Sequence, residues 1–137
     1  RLDDGRLALS PWRRDKWITD GWLQSAGQAE PADWPDAGRG GDGGLRCDAE
    51  GCVLRRNGRA VALARRPEAL ETDCGQVDLV ISYSRIERCP NGAPLIGPDA
   101  LLTAGGLALW LEPSGIETLS VREIRGDRPW TRALADR

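Results

Sequence analysis

The chain has 137 residues, 19 Lys and Arg against 21 Asp and Glu for a formal charge of −2, four cysteines, and neither histidine nor methionine. A balance this close to neutral gives no general attraction to nucleic acid or acidic lipid. The missing histidine removes imidazole acid–base catalysis, His-containing zinc sites and Ser-His or Cys-His nucleophile pairs. The length is that of one domain with a real core. Beginning at Arg1 with no methionine, it is expected to be a piece excised from a longer protein. No apolar run approaches the roughly 20 residues of a membrane helix. The best, Leu107 to Leu111, is strand length, so the piece is expected to be soluble.

In chain order, Asp3-Asp4-Gly5 reads as a turn and Arg6 to Ser10 as a short strand. Ser10-Pro11 then has the form of a helix start, with serine as N-cap and proline at the first helical position. Trp12, Trp17 and Trp22 are interleaved with Arg13, Arg14 and Lys16. Aromatic faces can stack bases while cations track phosphates. The plainer reading is a helix whose tryptophans cover a sheet, with Asp15 and Asp20 balancing the cations. Residues 1–24 are thus a strand and helix, and residues 25–44 a flexible loop rich in Gly, Ala and Asp with Pro31 and Pro35. Its glycines lack the following Lys-Ser/Thr and helix of a phosphate-cradling loop.

Residues 45–130 form the organised part. Cys52 to Arg56 and Arg59 to Ala64 flank Asn57-Gly58, a pair that favours a type I′ turn because both central positions need positive φ. That turn sets Arg56 opposite Arg59, Leu54 opposite Val61 and Cys52 opposite Leu63. Both faces are apolar beyond the turn, which predicts a hairpin covered on both sides. A helix over Pro67 to Cys74 then crosses to a strand over Val77 to Ser84. Ala93 to Ile96 reads as an edge strand and Pro98 to Ala104 as a short helix ending at Gly105-Gly106. Leu107 to Leu111 and Ile116 to Ile124 read as a closing hairpin. The fold class is α/β (α+β), with a mixed sheet and flanking helices.

Five arginines and no acid lie between Val53 and Arg66: Arg55, Arg56, Arg59, Arg65 and Arg66. They read as a solvated hairpin tip, with a phosphate site as the alternative. Four cysteines in a short chain suggest two disulfides in an oxidising compartment, with free thiols or a zinc site as alternatives. Cys47 with Cys52 and Cys74 with Cys89 is the favoured of three connectivities. A full strand over Val77 to Ser84 would put the last two at opposite ends, so this pairing needs a shortened strand.

The same stretch resembles the second half of the metallo-β-lactamase-like domain at the C-terminus of the ComEC family, bacterial competence proteins that pass DNA across the inner membrane. Gly51 to Arg56 resembles the family's first strand here, Arg59 to Ala64 the second, Pro67 to Cys74 the helix and Val77 to Ile81 the last strand. Cys47-Asp48-x-x-Gly51-Cys52, Asp73-Cys74 and Arg128-Pro129-Trp130 are most similar to alphaproteobacterial members. Where the family has Gly-Asp this chain has Arg65-Arg66, and where it has a histidine pair this chain has Ser82-Tyr83-Ser84. The resemblance therefore implies a degenerate, shortened metallo-β-lactamase-like layered fold, non-catalytic and without metal or cofactor. It implies a periplasmic domain of an inner-membrane DNA-uptake protein, structural or DNA-contacting, with the rest of the transporter and other uptake proteins as partners. Lys16, Arg56, Arg59, Arg65 and Arg66 are the candidate DNA-facing residues. The rival reading is a nuclease holding a divalent ion through Asp48, Glu50, Asp73 and Asp78. Against it, Asp73 ends the predicted helix and Asp78 begins a strand, away from the loop end of Cys52 and Arg65. A protein-interaction module is the third reading.

Overall fold

The computed structural model describes residues 1, 4–9, 16–34, 44–86, 88–89 and 92–126. Its centre is a five-stranded mixed sheet in the order β1-β2-β3-β4-β5: β1 Leu45–Cys47, β2 Gly51–Arg56, β3 Arg59–Ala64, β4 Leu79–Ser82 and β5 Leu95–Ile96. The β2–β3 hairpin pairs Arg56 with Arg59, Leu54 with Val61 and Cys52 with Leu63. Asn57 and Gly58 have φ of 51° and 74°, so the turn takes the mirror-image form that matches strand twist. Beyond the hairpin, β3 and β4 run parallel, as do β4 and β5.

Alternation along the strands divides the apolar residues between two faces. On one, Val53, Ala62, Ala64, Val80 and Leu95 pack with Ala69, Leu70, Cys74 and Cys89. On the other, Leu54, Val61, Leu79, Ile81 and Ile96 pack with Leu109, Leu111 and Ile116. The first face is covered by helix α2 (Ala69–Asp73) and the segment around Cys89, the second by the antiparallel hairpin β6 (Leu107–Glu112) and β7 (Gly115–Ser120). Ala60, Ala62 and Ala64 have weak strand propensity. Small side chains there leave room for the helix and disulfide to approach, and all three are buried.

Several expected boundaries move, each for a local reason. α2 starts at Ala69, because Pro67 and Glu68 form a tighter turn in which Leu70 N–H bonds the Pro67 carbonyl at 3.1 Å. β4 is only four residues long. At its start the Asp78 carboxylate accepts from Ala60 N–H at 2.7 Å, and at its end the Ser82 hydroxyl accepts from Ser84 N–H at 3.1 Å and turns the chain. The shortened strand lets the chain return, and Cys74 is bonded to Cys89 across a separation of 15 residues, while Cys47 is bonded to its cross-strand neighbour Cys52.

The expected second arm over Ile116 to Ile124 instead stops at Ser120, where helix α4 (Val121–Arg125) begins. Ser120 and Glu123 form a reciprocal capping box: the serine hydroxyl accepts from Glu123 N–H at 3.1 Å, and the glutamate accepts from Ser120 N–H at 2.6 Å. Helix α3 (Pro98–Ala104) has its expected limits and ends on Gly105 in the left-handed region at φ 69°.

Near the N-terminus, the expected strand over Arg6 to Ser10 is reduced to one parallel bridge, Ala8 to Ala32, with Ser10 outside the described residues. Helix α1 is described over Lys16–Ser25, while the predicted Ser10-Pro11 cap and Trp12 lie outside. It buries Thr19 and Leu23 but leaves Trp17 89% and Trp22 57% exposed, so these tryptophans do not cover the sheet. Residues 35–43 of the predicted loop, and Arg128-Pro129-Trp130, also lie outside the described residues.

The disulfide and the capping box are each open to a stability test. Replacing both Cys74 and Cys89 by alanine is expected to cost about 3 kcal/mol, from the loop they close, measured as a lower urea midpoint under oxidising conditions. Ser120→Ala removes the cap and is expected to cost about 1 kcal/mol by the same measurement; no change would mean that the α4 start contributes nothing to the cooperative fold.

Candidate nucleic-acid interface

Parallel strands β3 and β4 end together, with Ala64 in register with Ser82. The residues that follow, Arg65-Arg66 and Tyr83-Ser84-Arg85, therefore emerge side by side, and Tyr83 N–H bonds the Ala64 carbonyl at 3.1 Å. The backbone of the arginine pair is fixed by Glu50, whose carbonyl accepts from Arg65 N–H at 2.8 Å and Arg66 N–H at 3.1 Å. The Arg65 guanidinium lies 3.9 Å from Cys52 Sγ. Tyr83 is 60% exposed. Arg85 pairs with Asp99 at 3.0 Å, both largely in solvent, a contact worth little in water. Three cations and an exposed ring thus share the carboxyl end of the parallel strands, the side on which open α/β sheets bind ligands. Arg85 is not among the residues that the sequence singles out, and Tyr83 enters there only as part of Ser82-Tyr83-Ser84; the signal for both is their position just beyond β4.

The other candidates lie elsewhere. Six residues of β3 at about 3.3 Å each separate Arg59 from Arg65 by about 20 Å, so the hairpin tip and the arginine pair occupy opposite ends of the sheet. At the tip the side chains serve the fold. Arg59 pairs with Asp78 at 3.4 Å and donates to the Pro113 carbonyl at 2.9 Å. Asn57 donates to the Leu111 carbonyl at 2.8 Å, and Arg56 to the Arg1 carbonyl at 3.1 Å. The Asn57 and Arg59 bonds seat the closing hairpin on the central one. Lys16, on α1, pairs with Asp20 one turn on at 2.7 Å.

The four carboxylates considered for a divalent ion are also divided. Asp48, Glu50 and Asp73 line one groove, which has a volume of about 330 Å³ and includes Cys52 in its wall. Asp73 is thus close to the loop end from which the sequence reading set it apart. Burial, then the neighbouring Asp48 and Glu50 charges, push its carboxyl above the usual aspartate range. Asp78 lines a different recess, with the hairpin tip. Among the described residues no group of three or more Cys, Asp or Glu is arranged to hold a metal ion.

Comparison with family models, curated proteins and solved structures finds no match to this chain.

Asp78 yields a pH prediction. The Ala60 N–H bond, then Arg59, hold its carboxyl below the usual range. A depressed native value means that the stabilisation is present above the unfolded value of about 3.9 and lost as pH falls through the native value. Asp78→Ala should therefore lower the thermal midpoint by a few degrees at neutral pH, with the gap to the parent chain closing in strong acid. An unchanged gap across that range would show that the charge is not what stabilises.

Proposed function

We propose that this chain is a non-catalytic, shortened metallo-β-lactamase-like domain on the periplasmic side of an inner-membrane DNA-uptake protein of the ComEC type, with a DNA-contacting role in transport. The observation that carries the reading is the pairing of two substitutions in space. Arg65-Arg66 and Ser82-Tyr83-Ser84 occupy the positions that resemble the family's Gly-Asp and histidine pair, and they stand together at the ends of β3 and β4. Groups that bind anions and stack on bases therefore stand where metal ligands would be needed.

The sequence of elements supports the same reading: hairpin, crossover helix, parallel strand, short edge strand, helix and closing hairpin. Two disulfides suit an oxidising compartment. No helix among the described residues is long and apolar enough to cross a membrane.

Fluorescence anisotropy with labelled single- and double-stranded DNA across a salt series, in EDTA and then with Mn²⁺ or Zn²⁺, tests the proposal when the same samples are run on a gel. Salt-sensitive binding without cleavage is expected. Arg65→Ser with Arg66→Ser should weaken it severalfold and reduce the salt slope by about 2, one for each phosphate that is no longer neutralised, while Arg56→Ser should change it little. Metal-dependent cleavage would overturn the non-catalytic assignment. Absence of both binding and cleavage would overturn the DNA-contacting role in favour of a scaffold or protein-interaction module.

A further inference from the structure

A second surface is built quite differently from the arginine end. The groove that holds Asp73 runs between β1, β2 and α2 and is lined by charges of both signs. Arg46 pairs in register with Val53 across β1 and β2, and Arg55 follows Val53 by two residues on the same strand, so both arginines project from the face turned toward α2. Glu50 and Asp48 enter from the β1–β2 turn, and Thr72, Asp73 and Gln76 from the helix end. Val53, Ala69 and Val77 add apolar lining.

Among the described residues, no side-chain ion pair or hydrogen bond joins Arg46 or Arg55 to Glu50 or Asp73, so these side chains are available to a ligand. The walls also resist collapse. Cys47 is bonded to Cys52, and the Asp48 carboxylate accepts from Glu50 N–H at 2.8 Å and Gly51 N–H at 2.9 Å, which stiffens the turn. Gly51 allows close approach of β3, since a Cβ there would collide with the Leu63 carbonyl oxygen.

We propose that this groove binds a small zwitterion of amino-acid or dipeptide size, its cationic group held by Asp73 and Glu50 and its carboxylate by Arg46 and Arg55. The volume of about 330 Å³ is at the lower end of small-molecule sites, and the preset walls reduce the ordering cost of binding. Three carboxylates against two guanidiniums leave the lining one charge negative, which favours a ligand with a second cationic group, such as a basic amino acid. Burial, then the charges of Asp48 and Glu50, push the Asp73 carboxyl up, and the repulsion from those two neighbours is what such a cation relieves. This inference is independent of the DNA reading.

The test is a titration of the labelled, oxidised chain followed by amide NMR shifts, with L-arginine as probe and agmatine, its analogue without the carboxylate, as control. L-Arginine is expected to shift the amides of Arg46, Glu50, Val53, Asp73 and Gln76, with agmatine binding about tenfold more weakly, the equivalent of roughly 1.4 kcal/mol. Arg55→Gln should weaken L-arginine about tenfold while agmatine, a dication freed of a like charge, binds no more weakly, whereas Asp73→Asn should weaken both. The same spectra report whether each variant is folded. No shift at high millimolar L-arginine, or equal binding of the two probes, would overturn the proposal.

Discussion

The structure depends on the register of one hairpin. Positive φ at both Asn57 and Gly58 fixes which residues of β2 and β3 oppose each other, and a slip by one position would exchange the two faces. Both faces are buried here, but they are not equivalent. One presents the small side chains Ala60, Ala62 and Ala64 on β3, and the other the larger Val61 and Leu63. The slim face accepts α2 and the Cys74–Cys89 disulfide, while Val61 on the fuller face packs with residues of the β6–β7 hairpin. Exchange would put bulk where a helix must sit and leave voids under the second hairpin, so core packing reinforces the choice made by the turn.

The same hairpin explains why its arginines have such different surroundings. At the turn end, Arg59 and Asn57 reach backbone carbonyls of the second hairpin, so the tip works as a clasp between layers. At the other end, β3 stops beside β4, and Arg65 and Arg66 leave the sheet with their backbone N–H groups committed to Glu50. The five arginines of the sequence cluster thus separate into Arg56 and Arg59 at the tip, Arg55 in the groove, and Arg65 and Arg66 at the far end of β3.

That division marks how far the sequence could be read. The turn, the hairpin register, the parallel crossover and the α3 limits rest on local chemistry: Asn-Gly, Pro at a helix start, Gly at its end. The strand expected past Ser120 failed because Ser120 with Glu123 carries a capping signal that starts a helix there. β1 is three residues long, too short for any periodicity, and it is defined by pairing and by Cys47–Cys52. The groove could not be read at all, because Arg46, Arg55 and Asp73 meet only through the β1–β2 pairing and the return of α2. Likewise, nothing local in Trp17 or Trp22 distinguishes a ring that covers a sheet from one facing solvent; only the burial of Thr19 and Leu23 on α1 decides it.

The margins of the five-stranded sheet have a consequence of their own. An open sheet invites another chain to add a strand along its rim. Here one rim is a three-residue strand tethered by a disulfide to its neighbour, and the other is a two-residue strand entered through Pro94, which has no N–H to offer. Among the described residues, neither rim presents enough consecutive backbone groups to template a long foreign strand, so brevity at both rims works against strand addition there. The longer strands β6 and β7 lie in the separate hairpin. Any strand-adding growth of this molecule would therefore begin at the closing hairpin and spare the layer that holds the groove and the arginine end.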